Sequence, residues 1–326
     1  MVKLGDVINV HYGKALKADQ RVSNGSVHVF GSSGIVGNHD KTLCSYPTII
    51  IGRKGSVGAI TWAPDGGWII DTAYYVEIKD NNKLDLRYLF YILSGIDLTK
   101  KTITTSIPGL NRDDLYDTFI KLPPFEEQKR IVDLLDKAEG IRQKREQAIK
   151  LADDFLRATF ATMYGNPITN PKKWPVHLMG EIIEFKGGNQ PPKSDFIFEP
   201  KQGYIRLVQI RDFKSDKYAT YIPQEKAKRI FEVDDVMIAR YGPPVFQILR
   251  GLSGSYNVAL MKASPKENIR KGFIFYLLQL PEYHDVVVKN SERTAGQTGV
   301  NLELLNKFNV PLPPIYYQDE ILARLA

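Results

Sequence analysis

The sequence contains little of what metal binding or disulfide chemistry requires. Its 326 residues include one cysteine and five histidines, and the histidines lack the spacing of a metal site. A single cysteine excludes an internal disulfide, and Cys44 lies in an apolar segment, where a core position is more common than a nucleophile. The composition therefore predicts a reduced, cytoplasmic protein without a metal centre.

Membrane and export signals are also missing. The longest apolar runs, such as residues 273–278, are far shorter than the roughly 20 residues that cross a bilayer. The N-terminal MVKLGDVINV lacks the hydrophobic region and cleavage site of a signal peptide. We therefore expect no membrane contact.

Signatures of catalysis are equally scarce. An adenine methyltransferase needs Asn or Asp before Pro-Pro and an aromatic residue, whereas the Pro-Pro pairs here follow Leu122, Gln190, Gly242 and Leu312. The glycine-rich GRKGSVG at 52–58 lacks both the Gly-Lys-Ser/Thr of a P-loop and the spacing of a dinucleotide turn. It is more typical of a hairpin turn. The sequence predicts neither a cofactor nor a catalytic residue.

Basic residues outnumber acidic residues in the sequence. Lysine and arginine number 44 against 37 acidic residues, a net charge of +7. Residues 1–124 carry +2, residues 125–164 carry none, and residues 166–314 carry +6. Two basic regions around a neutral connector suit a protein that binds a polyanion. Many soluble proteins of this charge bind no nucleic acid, so charge alone leaves both readings open.

The sequence repeats itself once. Five segments recur in the same order at offsets of 175 to 190: LGDVI (4–8) with MGEII (179–183), IGRKG (51–55) with IARYG (238–242), LFY (89–91) with IFY (274–276), GLN (109–111) with GVN (299–301), and KLPPFEEQKRI (121–131) with PLPPIYYQDEI (311–321). A period this long indicates a duplicated domain.

Each copy mixes strand and helix patterns. Buried strands are predicted at 46–51 and 236–239, further strands at 68–76 and 254–261, and short strands at 119–122 and 308–312, which Pro-Pro ends. Amphipathic helices are predicted at 84–95 and 269–280. The predicted fold class is therefore α+β, with two duplicated, strand-rich domains.

Residues 126–163 between the copies predict one long helix. Pro-Pro precedes it, acidic residues occupy its first turn, and Gly-Asn-Pro follows it. A narrow apolar stripe runs along it through Ile131, Leu134, Ala138, Ile141, Ala148 and Phe155. A stripe of this width favours a coiled coil with a partner helix. The alternative is a helix that packs along one of its own domains.

This organisation resembles the specificity (S) subunit of type I restriction-modification systems. The resemblance covers the whole chain and is carried by LGDVI, MGEII, LPPFEEQKRIVDLLD and the linker FATMYGNPITNPKKWPVHLMGEI. It implies target-recognition domains at 1–124 and 166–314, a central spacer helix at 125–165, and the start of a distal helix at 315–326. The helices would pair antiparallel, with the domains at opposite ends of a rod.

The resemblance also implies a function without catalysis. Each domain would read half of a split site in double-stranded DNA, and the helices would dock methyltransferase (M) subunits, which the restriction/translocase (R) subunit joins. Family members usually carry a second long helix, whereas this one stops about two turns after Pro314, either because the natural subunit is short or because the chain has been cut. We therefore expect the central stripe to be covered by a second copy of the chain or by M subunits.

Residue types that can contact DNA lie in loops and at strand ends. Arg53 and Lys54 match Arg240 and Tyr241 before a glycine in each copy, and the basic, hydroxyl-rich loop 100–106 matches 289–294. The candidate DNA-binding residues are Arg53, Lys54, Lys100, Lys101, Thr104, Thr105, Ser106, Arg206, Gln209, Arg211, Arg240, Tyr241, Lys289, Arg293 and Thr294.

Two hypotheses from different classes follow. The first is a DNA-recognition subunit of a type I complex. The second is a dimeric structural adaptor whose basic domains bind an acidic protein. Steep loss of duplex binding with added salt, together with preference for one bipartite sequence, would separate the two.

Overall fold

A computed structural model of the chain describes residues 1–101, 109–242, 244–293 and 299–326. They form two compact units, Met1–Glu146 (unit 1) and Gln147–Ala326 (unit 2). The division falls inside the helix Phe125–Tyr164. Residues 125–146 of this helix therefore belong to unit 1 and residues 147–164 to unit 2.

Unit 1 combines short strands with short helices. Its strands are β1 (Val2–Lys3), β2 (Ile8–Tyr12), β3 (Val27–Gly31), β4 (Gly34–His39), β5 (Thr48–Gly52), β6 (Ile60–Ala63), β7 (Trp68–Ile69), β8 (Ala73–Ile78) and β9 (Phe119–Ile120). Its helices are α1 (Leu4–Val7), α2 (Leu86–Ser94), α3 (Arg112–Tyr116), the first part of α4 (Phe125–Tyr164), and the 3-10 turns Ala18–Gln20 and Leu98–Lys101.

Unit 2 repeats this plan with insertions. Its strands are β10 (Val176–Leu178), β11 (Ile183–Gly187), β12 (Tyr204–Val208), β13 (Tyr221–Pro223), β14 (Ile230–Phe231), β15 (Val236–Ala239), β16 (Ile248–Leu249), β17 (Gly254–Tyr256), β18 (Leu260–Pro265) and β19 (Asn309–Pro311). Its helices are α5 (Met179–Ile182), α6 (Lys271–Leu277), α7 (Pro281–Arg293), α8 (Leu302–Asn306), α9 (Ile315–Leu325), and the 3-10 turns Lys193–Asp195, Ile210–Phe213, Asp216–Tyr218 and Gln224–Lys226.

Matching sheets confirm the duplication. The four-stranded sheet β2-β8-β5-β6 of unit 1 has the same order as β11-β18-β15-β16 of unit 2, and all its pairs are antiparallel. A second sheet contains one parallel pair in each unit, β3 with β7 and β12 with β17. The predicted fold class, α+β domains joined by a long helix, is confirmed.

The residues that recur in both copies of the sequence have the same structural role in both units. A Cβ atom at Gly13 would lie 2.1 Å from Ile70 O, and one at Gly188 would lie 2.0 Å from Asn257 O, so neither position can carry a side chain. The asparagine of the Gly-(Leu/Val)-Asn motif caps a helix in each unit. Asn111 accepts a bond from an α3 amide, and Asn301 accepts from two α8 amides.

A buried glutamine ties the helix that follows each domain back to it. Gln128 Nε2 donates to Lys83 O (2.8 Å) and Pro123 O (2.9 Å), while its Oε1 accepts from the Asp85 amide (2.9 Å). Gln318 in α9 makes the same three bonds in unit 2, to the carbonyls of residues 268 and 313 and from the amide of residue 270. Both side chains are fully buried. The matched bonds of Gln128 and Gln318 explain why Leu-Pro-Pro, followed four residues later by Gln, occurs at the start of both helices.

Two strand predictions need correction. The stretch 68–76, predicted as one strand, is divided between β7 and β8, and 254–261 is divided in the same way between β17 and β18. In both units the first piece pairs in parallel with one sheet and the second piece joins the other sheet. Each stretch is interrupted where the chain crosses from one sheet to the other. The sequence does not show this crossing, because the β-branched and aromatic pattern continues through it.

Candidate nucleic-acid interface

The candidate interface is built where the central strand of the four-stranded sheet ends in each unit. Arg53 follows β5 directly, and Arg240 follows β15. The Arg53 carbonyl accepts from the Leu110 amide at 3.0 Å, and the Arg240 carbonyl accepts from the Val300 amide at 3.1 Å. The chain that returns from each predicted loop is thereby tied to the strand-end arginine. Two predicted contact regions, the strand end and the base of the loop, are brought together in each unit.

Both guanidinium groups are held by a backbone carbonyl. Arg53 Nη1 donates to Asp71 O at 3.1 Å, and Arg240 Nη1 donates to Val258 O at 3.5 Å. The two arginines are 187 positions apart in the sequence, and so are the two residues whose carbonyls hold them. A carbonyl bears no full charge, and within the described residues neither arginine is paired with a carboxylate. The positive charge and the remaining Nη donors of each arginine are thus available to an anion or a base edge, whereas Arg240 Nε is buried.

Each strand-end arginine also contacts an exposed tyrosine. The Arg53 guanidinium lies 5.1 Å from the ring centroid of Tyr12, and that of Arg240 lies 5.1 Å from Tyr241. Arg112 approaches the Tyr12 ring as well, at 5.2 Å. Sequence reasoning named Arg53, Arg240 and Tyr241 but missed Tyr12 and Arg112. Nothing local to these two residues signals the contact, because the three partners in unit 1 come from different parts of the chain.

A buried tyrosine supports the unit 1 cluster from beneath. The Tyr74 hydroxyl donates to Leu110 O at 3.0 Å. Burial, together with the neighbouring Tyr12 hydroxyl, raises the pKa of Tyr74 to about 12. The hydroxyl therefore stays protonated at neutral pH and holds the returning chain against the sheet.

The predicted set Arg206, Gln209 and Arg211 does not present one face. Arg206 Nη2 lies 2.7 Å from Asp216 Oδ1, and its side chain is 19% exposed, so a carboxylate already balances its charge. Gln209 Nε2 lies 3.5 Å from Thr220 Oγ1. Arg211 is exposed and stacks 5.5 Å from the Tyr218 ring. Of the three, Arg211 is the one placed to meet a polyanion.

The structure describes some of the remaining candidate DNA-binding residues and not others. Lys54 and Lys289 are exposed. The backbones of Lys100 and Lys101 close a 3-10 turn, and Arg293 ends α7. Four predicted loop residues lie outside the described residues: Thr104, Thr105, Ser106 and Thr294.

The predicted helix Glu126–Met163 is present as α4, and the middle of its apolar stripe is uncovered. Ile131 packs against the core of unit 1, and Phe160 and Tyr164 lie in the core of unit 2. Between them, the side chains of the stripe are open to solvent: Leu134 (69% exposed), Ala138, Ile141 (54%), Ala148 and Phe155 (68%). Within the described residues nothing buries this stretch.

Metal binding and membrane crossing are two further possibilities for the described residues. The described part of the chain has no group of three or more His, Cys, Asp or Glu side chains arranged to hold a metal ion. None of its described helices combines the length and apolarity that crossing a membrane requires.

Comparison with known proteins places these features in a family. The model of the type I restriction modification DNA specificity domain matches the chain twice, over residues 1–151 and 171–326. The chain is 22% identical over 320 residues to the type I restriction enzyme EcoBI specificity subunit of Escherichia coli, covering 86% of this chain and 66% of that protein. It is 22% identical over 277 residues to the putative type I restriction enzyme MjaX specificity subunit of Methanocaldococcus jannaschii, covering 76% and 62%.

A solved structure supports the fold. The crystal structure of a type I restriction-modification system S subunit from M. genitalium superposes with a TM-score of 0.59 at 16% identity, over 99% of this chain and 88% of that one. The chain spans about two thirds or less of the length of the curated relatives. Since the family model matches nearly the whole chain in two copies, the chain belongs to the type I restriction modification DNA specificity domain family.

Proposed function

We propose that the chain is the DNA sequence-recognition subunit of a cytoplasmic type I restriction-modification complex and has no catalytic activity of its own. One observation carries the proposal. Each of the two family domains presents an arginine at the same strand end, fixed by a matched carbonyl and joined to the base of a matched loop. Two copies of one DNA-contacting arrangement suit the reading of a site in two halves.

The basic balance of the domains supports a polyanion as the ligand. Residues 1–124 and 166–314 carry net charges of +2 and +6, and Arg53, Arg211 and Arg240 offer charge or donors that the fold does not consume. Phosphate contacts supply affinity, and contacts to base edges supply the sequence preference. Unit 1 and unit 2 would each read one half-site of duplex DNA.

The central helix would carry the partner contacts. Its exposed stripe, centred on Ile141, offers apolar side chains at coiled-coil spacing. Helices of M subunits would cover it in the complex, which the R subunit then joins, and a second copy of this chain would cover it when M subunits are absent. The domains at 1–124 and 166–314 would each contact DNA independently of the helix contacts.

Selection of DNA from a random pool tests this function. The 326-residue chain, alone or with a type I methyltransferase (M) subunit, is incubated with duplexes that carry a randomised segment, and the bound fraction is sequenced over several rounds. We expect two short specified elements separated by a spacer of fixed length and free sequence. Affinity should fall steeply with salt, with a log–log slope of about −0.9 for each phosphate neutralised.

The same preparation separates the alternatives. With the methyl donor and ATP added, the chain alone should leave the selected duplex unmethylated and uncut, and robust activity would refute a non-catalytic subunit. If no sequence is enriched and duplex binding is negligible at low salt, the DNA role fails and the adaptor that binds an acidic protein is favoured.

A further inference from the structure

The arginine–tyrosine pair of the candidate interface is built from different positions in the two units. In unit 1 the ring belongs to Tyr12, the last residue of β2. The corresponding residue of unit 2, at the offset of 175 that relates LGDVI to MGEII, is Gly187. A Cβ atom there would lie 3.1 Å from Arg240 Nη1, so the arginine leans over this same position in both units.

Unit 2 supplies its ring from another residue. Tyr241 directly follows Arg240, at the place that Lys54 occupies in unit 1. A Cβ atom at Gly299, at the base of the loop, would lie 2.9 Å from the Tyr241 ring. The ring therefore comes from the end of β2 in unit 1 and from just after β15 in unit 2, which matches β5 and not β2, while the contact at 5.1 Å with the arginine is the same.

Fold stability is a weak reason for this pair. Tyr12 is 47% exposed and Tyr241 is 42% exposed, and a cation–π contact between exposed groups stabilises a fold only weakly. Descent from one ancestral tyrosine does not account for it either, because the two rings stand at non-equivalent positions. What the units share is the arrangement, a ring that supports a guanidinium anchored to a carbonyl.

We infer that Tyr12 with Arg53, and Tyr241 with Arg240, form the element that contacts a guanine in each half-site, an inference that rests on the proposed function. A ring beside the guanidinium and a carbonyl on Nη1 restrict its orientation, and the other Nη donors remain for a base. A guanidinium held in this way can donate two parallel bonds to O6 and N7 of guanine in the major groove, the most common specific arginine contact with DNA.

The two halves should be read differently. In unit 1 a second guanidinium, that of Arg112, lies 5.2 Å from the Tyr12 ring. The matching residue in unit 2, at the offset of 190 that relates GLN to GVN, is Leu302. Among the residues that the structure describes, Tyr12 thus contacts two cations and Tyr241 contacts one. We expect salt to weaken recognition of the unit 1 half-site more steeply.

Arginine variants test the guanine contact on the duplex that wild-type protein selects. Arg53→Gln should weaken binding by about 5- to 150-fold, the equivalent of one bidentate base contact, and abolish the guanine preference in one half-site only. Arg240→Gln should do the same in the other half-site. Fluorescence anisotropy on duplexes with each guanine replaced in turn measures both effects.

Tyrosine variants test the supporting ring. Tyr12→Phe should bind as the wild type, whereas Tyr12→Ala should lose affinity and guanine preference together. Tyr316→Ala is the matched control, because this ring is 71% exposed on α9 and has no part in the proposal. The double variant Tyr12→Gly/Lys54→Tyr copies unit 2 into unit 1, and it should regain guanine preference relative to Tyr12→Gly. Thermal melting of each variant separates lost contacts from lost folding.

The outcomes distinguish this inference from the proposed function. If wild-type protein selects no sequence, the proposed function fails. If it selects a bipartite site but the arginine variants keep both half-sites unchanged, or weaken all sequences equally, only the guanine contact is overturned. Uniform weakening would identify the arginines as phosphate contacts.

Discussion

Gln128 and Gln318 show how much one side chain determines in this molecule. Each buried amide joins three backbone groups: two carbonyls and one N–H. A glutamine has both a donor NH2 and an acceptor oxygen, so it satisfies all three at once. The repeated Gln after Leu-Pro-Pro was visible in the sequence, but its role was not, because two of its three partners lie 43 to 50 residues upstream.

Replacing Gln128 by Ala should therefore be costly. A hydrogen bond contributes about 0.5–1.5 kcal/mol net, and three are lost here, so we expect a loss of about 1.5–4.5 kcal/mol in unit 1. Hydrogen exchange resolved to peptides measures it for each unit separately. Gln318→Ala should lower protection in unit 2 instead.

Gln143→Ala is the control for this prediction. Gln143 lies on the same helix and donates at the surface to Glu139, so its removal should change stability by no more than about 0.5 kcal/mol. If Gln128→Ala behaves like Gln143→Ala, the buried amide does not anchor the helix.

At the scale of elements, α4 was the most predictable feature and β7–β8 the least. Pro-Pro before the helix and Gly-Asn-Pro after it placed its ends within one residue of Phe125 and Tyr164, because these residues act on the local backbone. The crossing between β7 and β8 depends on which sheet each piece joins. The Tyr12–Arg53 contact likewise depends on distant partners, so the strand-end arginines could be predicted from sequence and the ring beside Arg53 could not.

The exposed stripe of α4 gives a prediction at this scale. Leu134→Lys/Ile141→Lys should abolish self-association and weaken binding of M subunits, because burying each such side chain stabilises by about 1.5–3 kcal/mol and a lysine there would be buried without a partner. Sedimentation velocity across a concentration series measures it. Both units should keep their melting temperature, since the two side chains are 69% and 54% exposed.

Gln143→Lys/Gln147→Lys is the matched control for the stripe. It adds the same two charges to exposed positions on the opposite face of the same helix, and it should associate as the wild type does. A wild-type chain that stays monomeric at tens of micromolar, and that binds M subunits no better than the stripe variant, would contradict a role for this face.

At the scale of the whole molecule, two units repeat one plan. Each unit contains its own sheets and core, and each receives the following helix through the same glutamine contacts. The domain ends of unit 1 and unit 2 are therefore interchangeable in their backbone contacts with α4 and α9. We therefore predict that one domain can replace the other without rebuilding the junction.

Replacing residues 1–124 by residues 176–314 of the same chain tests the central claim most directly. The chimera retains Gln128 and offers it the carbonyls and amide that Gln318 binds in unit 2. It is expressed with the methyltransferase, and methylated adenines are mapped across the genome. We predict that the unit 2 half-site replaces the unit 1 half-site, with the other half unchanged. Retention of the original motif, or a change in both halves, would contradict the claim that each unit reads its own half of the site.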